Sequence, residues 1–122
     1  MNQHRLAISA FFFISLLLPA RSFAHAHLDH AVPAAGSIVT TAPKEVVIWF
    51  TEALEPKFSS IEVRDAQGAA MQTGPAKLAS DNTAELRVTL KPLPPGTYKV
   101  IWRVLSVDTH RTQGDFSFRV GP

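Results

Sequence analysis

Strict alternation of apolar and polar side chains over short runs is what most constrains this chain. Ala84 to Leu90 shows it cleanly: Leu86, Val88 and Leu90 fall on one side, Glu85, Arg87 and Thr89 on the other. A period of two marks a strand with one buried face. Similar runs recur. Glu45 to Thr51 puts Val46, Ile48 and Phe50 on one face and Val47, Trp49 and Thr51 on the other. Phe58 to Arg64 offers Phe58, Ile61 and Val63 as inward anchors. Thr97 to Val107 is a long strand with Tyr98, Val100, Trp102 and Val104 on one side. Asp115 to Val120 follows, with Phe116, Phe118 and Val120 inward. A strand near Leu28 to Val32 and a weak one at Ala70 to Leu78 bring the total to about seven. Asp65-Ala66-Gln67-Gly68 reads as a hairpin turn, and Pro92, Pro94, Pro95 and Gly96 as a rigid connection. No segment shows convincing helical periodicity. The expectation is an all-β sandwich or barrel. Both tryptophans, Trp49 and Trp102, are expected in its core rather than on a sugar-binding platform.

Residues 1–24 read as a cleaved secretory signal. His4 and Arg5 precede an apolar run, Leu6 to Leu18, too short to span a bilayer comfortably. Pro19 stops the helix of that run, and Ser22-Phe23-Ala24 presents small residues where a signal peptidase inspects them. A cut after Ala24 leaves one domain, residues 25–122, outside the cytoplasm; a cut after Ala26 is also acceptable and would make His27 the first residue. Arg5 and Arg21 leave with the signal, so ten Lys/Arg then face ten Asp/Glu. That balance gives no electrostatic footprint for nucleic acid or anionic membrane. There is no cysteine. The fold must hold by its core alone, and cysteine-based zinc, thiolate-copper and iron–sulfur sites are excluded.

Processing changes the chemistry of His25. With a free α-amine, the amine and the imidazole Nδ1 can close a chelate ring on one metal ion. Three of the four remaining histidines, His25, His27 and His30, cluster at the terminus. The fourth lies in Val107-Asp108-Thr109-His110, between the last two strands. Asp108 and His110 are two apart, so on extended backbone they point to the same side. Joined to an amine–imidazole pair they would give three nitrogens and one oxygen, a set that suits Cu(II). By itself, Asp-x-His in a loop also fits a turn stabilised by its own hydrogen bonds. A competing chelate exists too. His25-Ala26-His27 can bind Cu(II) through its amine, two deprotonated backbone amides and the imidazole of His27, provided those amides are unpaired. A folded first strand would pair at least one of them, which favours the folded site. His27 is then peripheral or an additional ligand, and His30 a surface residue.

His25-Ala26-His27-Leu28, Pro33-Ala34-Ala35-Gly36, Phe50-Thr51-Glu52, Pro95-Gly96-Thr97-Tyr98-Lys99-Val100, Trp102 and Val107-Asp108-Thr109-His110 resemble the CopC family of periplasmic copper-binding proteins. The resemblance spans essentially all of residues 25–122. It implies a seven-stranded Greek-key β-barrel or sandwich of cupredoxin-like or immunoglobulin-like form. It implies one Cu(II) per chain, with His25, Asp108 and His110 as ligands and Glu52 as an acidic neighbour that orients a ligand or accepts a proton from the amine. It implies a monomeric, non-enzymatic role in copper resistance or homeostasis, with a CopD-like inner-membrane protein as partner. Some members add a methionine-rich Cu(I) site. Here Met71 is the only methionine beyond the signal, so a single Cu(II)-type site is expected. Two other readings remain open: a copper-dependent oxidative enzyme built on a terminal histidine chelate, and a metal-free immunoglobulin-like interaction module.

Overall fold

The computed structural model describes residues 25–122; the expected signal, residues 1–24, lies outside the described residues. The alternating runs become β1 (Leu28–Val32), β2 (Ile38–Val39), β3 (Glu45–Phe50), β4 (Ser60–Arg64), β5 (Lys77–Ala79), β6 (Asn82–Thr89), β7 (Gly96–Leu105) and β8 (Arg111–Val120). One sheet has the order β1-β3-β6-β5, the other β2-β8-β7-β4. Only β5–β6 and β7–β8 are sequential neighbours within a sheet. The other connections cross between sheets, as in Greek-key sandwiches. Every pairing is antiparallel except that of β2 with β8.

The core lies between the sheets. Val46, Ile48, Leu86 and Val88 come from one side, and Val63, Val100, Val104 and Phe118 from the other, none more than 2% exposed. Burying each such side chain is worth roughly 1.5–3 kcal/mol, and no disulfide assists them. The proline-rich connection is tied down where β7 begins. The Tyr98 hydroxyl donates to the Pro94 carbonyl, four residues upstream, as in a tyrosine corner. Burial, and then the charge of Asp65, push this phenol above its ordinary pKa.

Several details depart from the sequence reading. The two-residue β2 is an eighth strand, too short to show a period. β8 begins at Arg111 rather than Asp115, because Gly114 lies within the ladder, opposite Trp102. The weak strand at Ala70 to Leu78 reduces to β5 and two isolated bridges, at Ala70 and Gln72. Phe58 is not an inward anchor. It ends a 3-10 turn, Pro56–Phe58, and is 56% exposed. Trp49 is not core either. It is half-buried on the outer face of its sheet, with its ring stacked on His30 at 4.3 Å and 5°. Trp102 is buried as expected. Glu85 faces outward but is only 8% exposed, with Arg87 3.3 Å from its carboxylate.

Gly114 has a specific packing role. A Cβ there would meet Trp102 Cζ2 at 2.5 Å, and this indole is wedged edge-on against Phe50 at 5.2 Å. Gly114→Ala should therefore destabilise the domain by about 1–3 kcal/mol, the range for overpacking a filled core. Gly74→Ala, with nothing within 4 Å of its Cβ position, should change stability far less. Urea denaturation of the two variants checks the contrast.

Candidate metal centre

One end of the sandwich gathers the chemically interesting residues. Phe50, at the end of β3, pairs with Leu28, at the start of β1, so the residues before Leu28 lie beside those after Phe50. The chain then crosses to the other sheet through residues 51–55 and docks on the β7–β8 hairpin. Leu54 bridges Ser106, the Glu55 N–H donates to the Leu105 carbonyl, and the Val107 N–H donates to the Ala53 carbonyl. Topology thus brings the N-terminal arm and the loop of residues 106–110 to one rim.

The arm is held at each of its first three residues. The His27 N–H donates to Thr51 Oγ1 at 2.9 Å, and the same hydroxyl donates to the His25 carbonyl at 3.3 Å. The Thr51 N–H donates to the His27 carbonyl at 2.9 Å. The Thr112 hydroxyl donates to the Ala26 carbonyl at 2.6 Å, and Ala26 is fully buried. His25 and His27, either side of it, are exposed.

The loop is organised by Ser106, which is fully buried. Its hydroxyl bonds Asp108 Oδ1, accepts the His110 N–H at 3.2 Å and lies 3.2 Å from the His110 carbonyl. Backbone bonds from Ser106 N–H to the His110 carbonyl and from Thr109 N–H to the Ser106 carbonyl close the turn. Thr109 takes φ +71°, the left-handed region that a β-branched residue seldom occupies. The Asp-x-His pair is therefore not on extended backbone, as its spacing suggests. It sits in a tight turn with its own hydrogen bonds, and that turn still brings Asp108 Oδ1 to 3.3 Å from His110 Nδ1.

The two halves meet at the imidazoles. His25 and His110 lie edge to face, ring centroids 4.7 Å apart at 83°. The arm and the loop thus place their imidazoles side by side on one rim. His27 is farther out, 6.3 Å from His25. Glu52 is half-buried on the crossing segment and makes no hydrogen bond or ion pair among the described residues. His30 is occupied elsewhere, by Asp29 at 2.7 Å and by Trp49. Met71 packs against the core. Among the described residues, no three His, Cys, Asp or Glu side chains form a metal-holding group by themselves.

Thr51, Ser106 and Thr112 belong to the site by contact and not by any sequence motif. Ser106 has a spacing signal only, since Ser106, Asp108 and His110 continue one two-residue spacing. The threonines have none, because their partners depend on strand register.

The Ser106 hydroxyl does most to hold the Asp108 carboxyl below its ordinary pKa, and His110 adds to this; partial desolvation opposes it. A carboxyl depressed in the fold contributes stability above its unfolded pKa and loses it as pH falls through the folded value. Ser106→Ala should raise the Asp108 titration midpoint, read from the carboxyl carbon by NMR. Any stability that Ser106 confers through the ionised carboxylate should fade below the wild-type midpoint. An unchanged midpoint would refute the role given to this hydroxyl.

Residues 28–121 match the CopC domain. The chain is 41% identical over 107 residues to protein YobA of Escherichia coli K12, covering 87% of this chain and 86% of that protein. Among solved structures, CopC from Methylosinus trichosporium OB3b superposes with a TM-score of 0.75 at 37% identity, over 80% of this chain and 95% of that one. PcoC from Escherichia coli, described as a methionine-rich copper resistance protein, gives a TM-score of 0.70 at 32% identity, over 80% and 99%.

Proposed function

Because this chain belongs to the CopC family, we propose that it is a periplasmic protein that binds one Cu(II) and sequesters it or hands it on. His25, Asp108 and His110 are the assigned ligands, with the signal of residues 1–24 removed. The observation that carries this reading is the approach of His25 to His110, with Asp108 beside the second ring. Nitrogen donors with one carboxylate oxygen suit Cu(II). In this reading the released α-amine of His25 supplies the third nitrogen. Glu52, on the segment that carries Thr51, orients a ligand or takes the proton of that amine.

The donor set also separates this chain from its methionine-rich relative. Met71, the one methionine among the described residues, packs on the core and offers no thioether cage for Cu(I). An oxidative enzyme is disfavoured for a related reason. A carboxylate in the ligand set stabilises Cu(II) against reduction and fills a position that oxygen would need. The protein acts as a monomeric carrier, with a CopD-like inner-membrane protein as the recipient.

The processed protein, beginning at His25, should bind one Cu(II) by competition titration, whereas a version with one extra residue before His25 should bind far more weakly. Changes one shell beyond a metal's ligands cost roughly 10–100-fold in affinity. Loss of the His110 ligand in His110→Ala should exceed that, with Asp108→Ala costing less. Equal affinity of the processed and extended proteins would sink the assignment.

A ligand that binds only the folded state raises its stability. Stoichiometric Cu(II) should therefore raise the melting temperature of the processed protein and leave that of His110→Ala nearly unchanged. A melt indifferent to copper in the processed protein would favour the metal-free interaction module.

A further inference from the structure

Each of the three residues of the arm has a backbone group tied to a threonine hydroxyl. Thr51 Oγ1 accepts from the His27 amide and donates to the His25 carbonyl, while Thr112 Oγ1 donates to the Ala26 carbonyl. The Thr51 backbone N–H holds the His27 carbonyl as well. A strand end needs no such density of side-chain ties, and a frayed terminus is the ordinary outcome. Three of the ties hold carbonyl oxygens and so fix where the arm runs. The fourth occupies the hydrogen of the His27 amide, one of the two nitrogens that the terminal-peptide chelate must use.

We infer that Thr51 and Thr112 are positioning residues that select the copper-binding mode of the N-terminal arm. They hold His25 against His110 and withhold the His27 amide from the metal. The inference rests on the Cu(II) site proposed above. In the competing mode the ion forms bonds to the α-amine, the Ala26 and His27 amide nitrogens and the His27 imidazole. Two amide protons pass to solvent, and the copper stays Cu(II). For that to happen the Thr51 hydroxyl must release the His27 N–H. The arm must also turn away from β3 so that the His27 ring folds back toward its own terminus. That breaks the Thr51 bonds to His27 and frees the peptide unit whose carbonyl Thr112 holds. With the clamp in place, the ion meets His25 beside the loop of residues 106–110 instead. Mode selection matters because the two sites differ in chemistry. Three nitrogens and a carboxylate on a rim can be dismantled one ligand at a time by an incoming partner. Four nitrogens, two of them amides, hold the ion within a single peptide.

The test uses protein processed to begin at His25, in wild-type form and as Thr51→Val, Thr51→Ser, Thr112→Val and His110→Ala. Each is loaded with one equivalent of Cu(II) at fixed neutral pH and followed by visible absorption and electron paramagnetic resonance. Replacing the carboxylate by an amide nitrogen strengthens the ligand field, so the four-nitrogen mode absorbs at shorter wavelength and gives a distinct resonance signature. Wild type and Thr51→Ser should show the three-nitrogen, one-oxygen spectrum, and His110→Ala should lose it. Thr51→Val keeps the size of the side chain but loses both hydroxyl bonds. It should weaken the His110-dependent site by about tenfold, as expected for two hydrogen bonds, and shift the spectrum toward the four-nitrogen form. Thr112→Val should shift it in the same direction but less. Amide exchange at His27, measured without copper, should speed up in Thr51→Val and reports the loosened arm independently of metal binding. A Thr51→Val protein with unchanged spectrum, affinity and His27 exchange overturns the clamp while leaving the copper site standing. A four-nitrogen spectrum in wild type, insensitive to His110→Ala, overturns the clamp and the proposed site together.

Discussion

Residues 51–55 are the joint on which the rest of this rim depends. They leave one sheet at the end of β3 and reach the other through backbone bonds at Ala53 and Glu55 and the bridge of Leu54 to Ser106. Leu54 is 2% exposed and anchors the crossing in the core. On one side the joint offers Thr51 to the arm, and on the other it fixes the root of the β7–β8 loop. His25 depends on it for its place, and the loop that carries His110 is braced by it. The distance between the two rings is therefore set by strand pairing and core packing, not by the rings themselves. Such support from rigid elements gives a rim its geometry without burying the side chains on it.

The two halves of the site are built differently. The loop half organises itself: Ser106, buried and saturated with bonds, folds residues 106–110 into one turn whatever the arm does. The arm half relies on partners brought in by the fold, since Thr51 belongs to the crossing segment and Thr112 to β8. Its order is acquired only when the sandwich closes, because its ties reach residues far along the chain.

Much of the architecture is legible in the sequence because one-sided burial leaves a period of two. β1, β3, β4, β6 and β7 fall close to where alternation puts them. Legibility ends where a residue's surroundings come from distant chain. Phe58 looks like an anchor in FSSIEVR, yet Pro56 starts a turn that lifts it outward. Trp49 sits on the polar side of its strand, and its partner, His30, becomes visible only once β1 pairs with β3. Gly114, just ahead of the strand expected from Asp115, lies within the ladder and makes room for an indole. The same division holds at the rim. His25 and His110 stand out because histidines are few, and Asp108 because it lies two residues from His110. The threonines do not, because a hydroxyl is identified by what it touches, and that is set by register.

The direction of β8 has a consequence for how such a domain can be joined to other chains. The strand starts at Arg111, beside the rim, and runs to Val120 at the opposite end of the sandwich. Ten residues of strand place these ends roughly 30 Å apart. The proposed site demands an unencumbered first residue, so anything attached ahead of His25 would block it. Sequence appended after Pro122 would leave from the far pole, clear of the rim. The polypeptide is therefore a one-way fitting: it can be tethered, immobilised or fused through the far end of β8 while the rim stays uncovered.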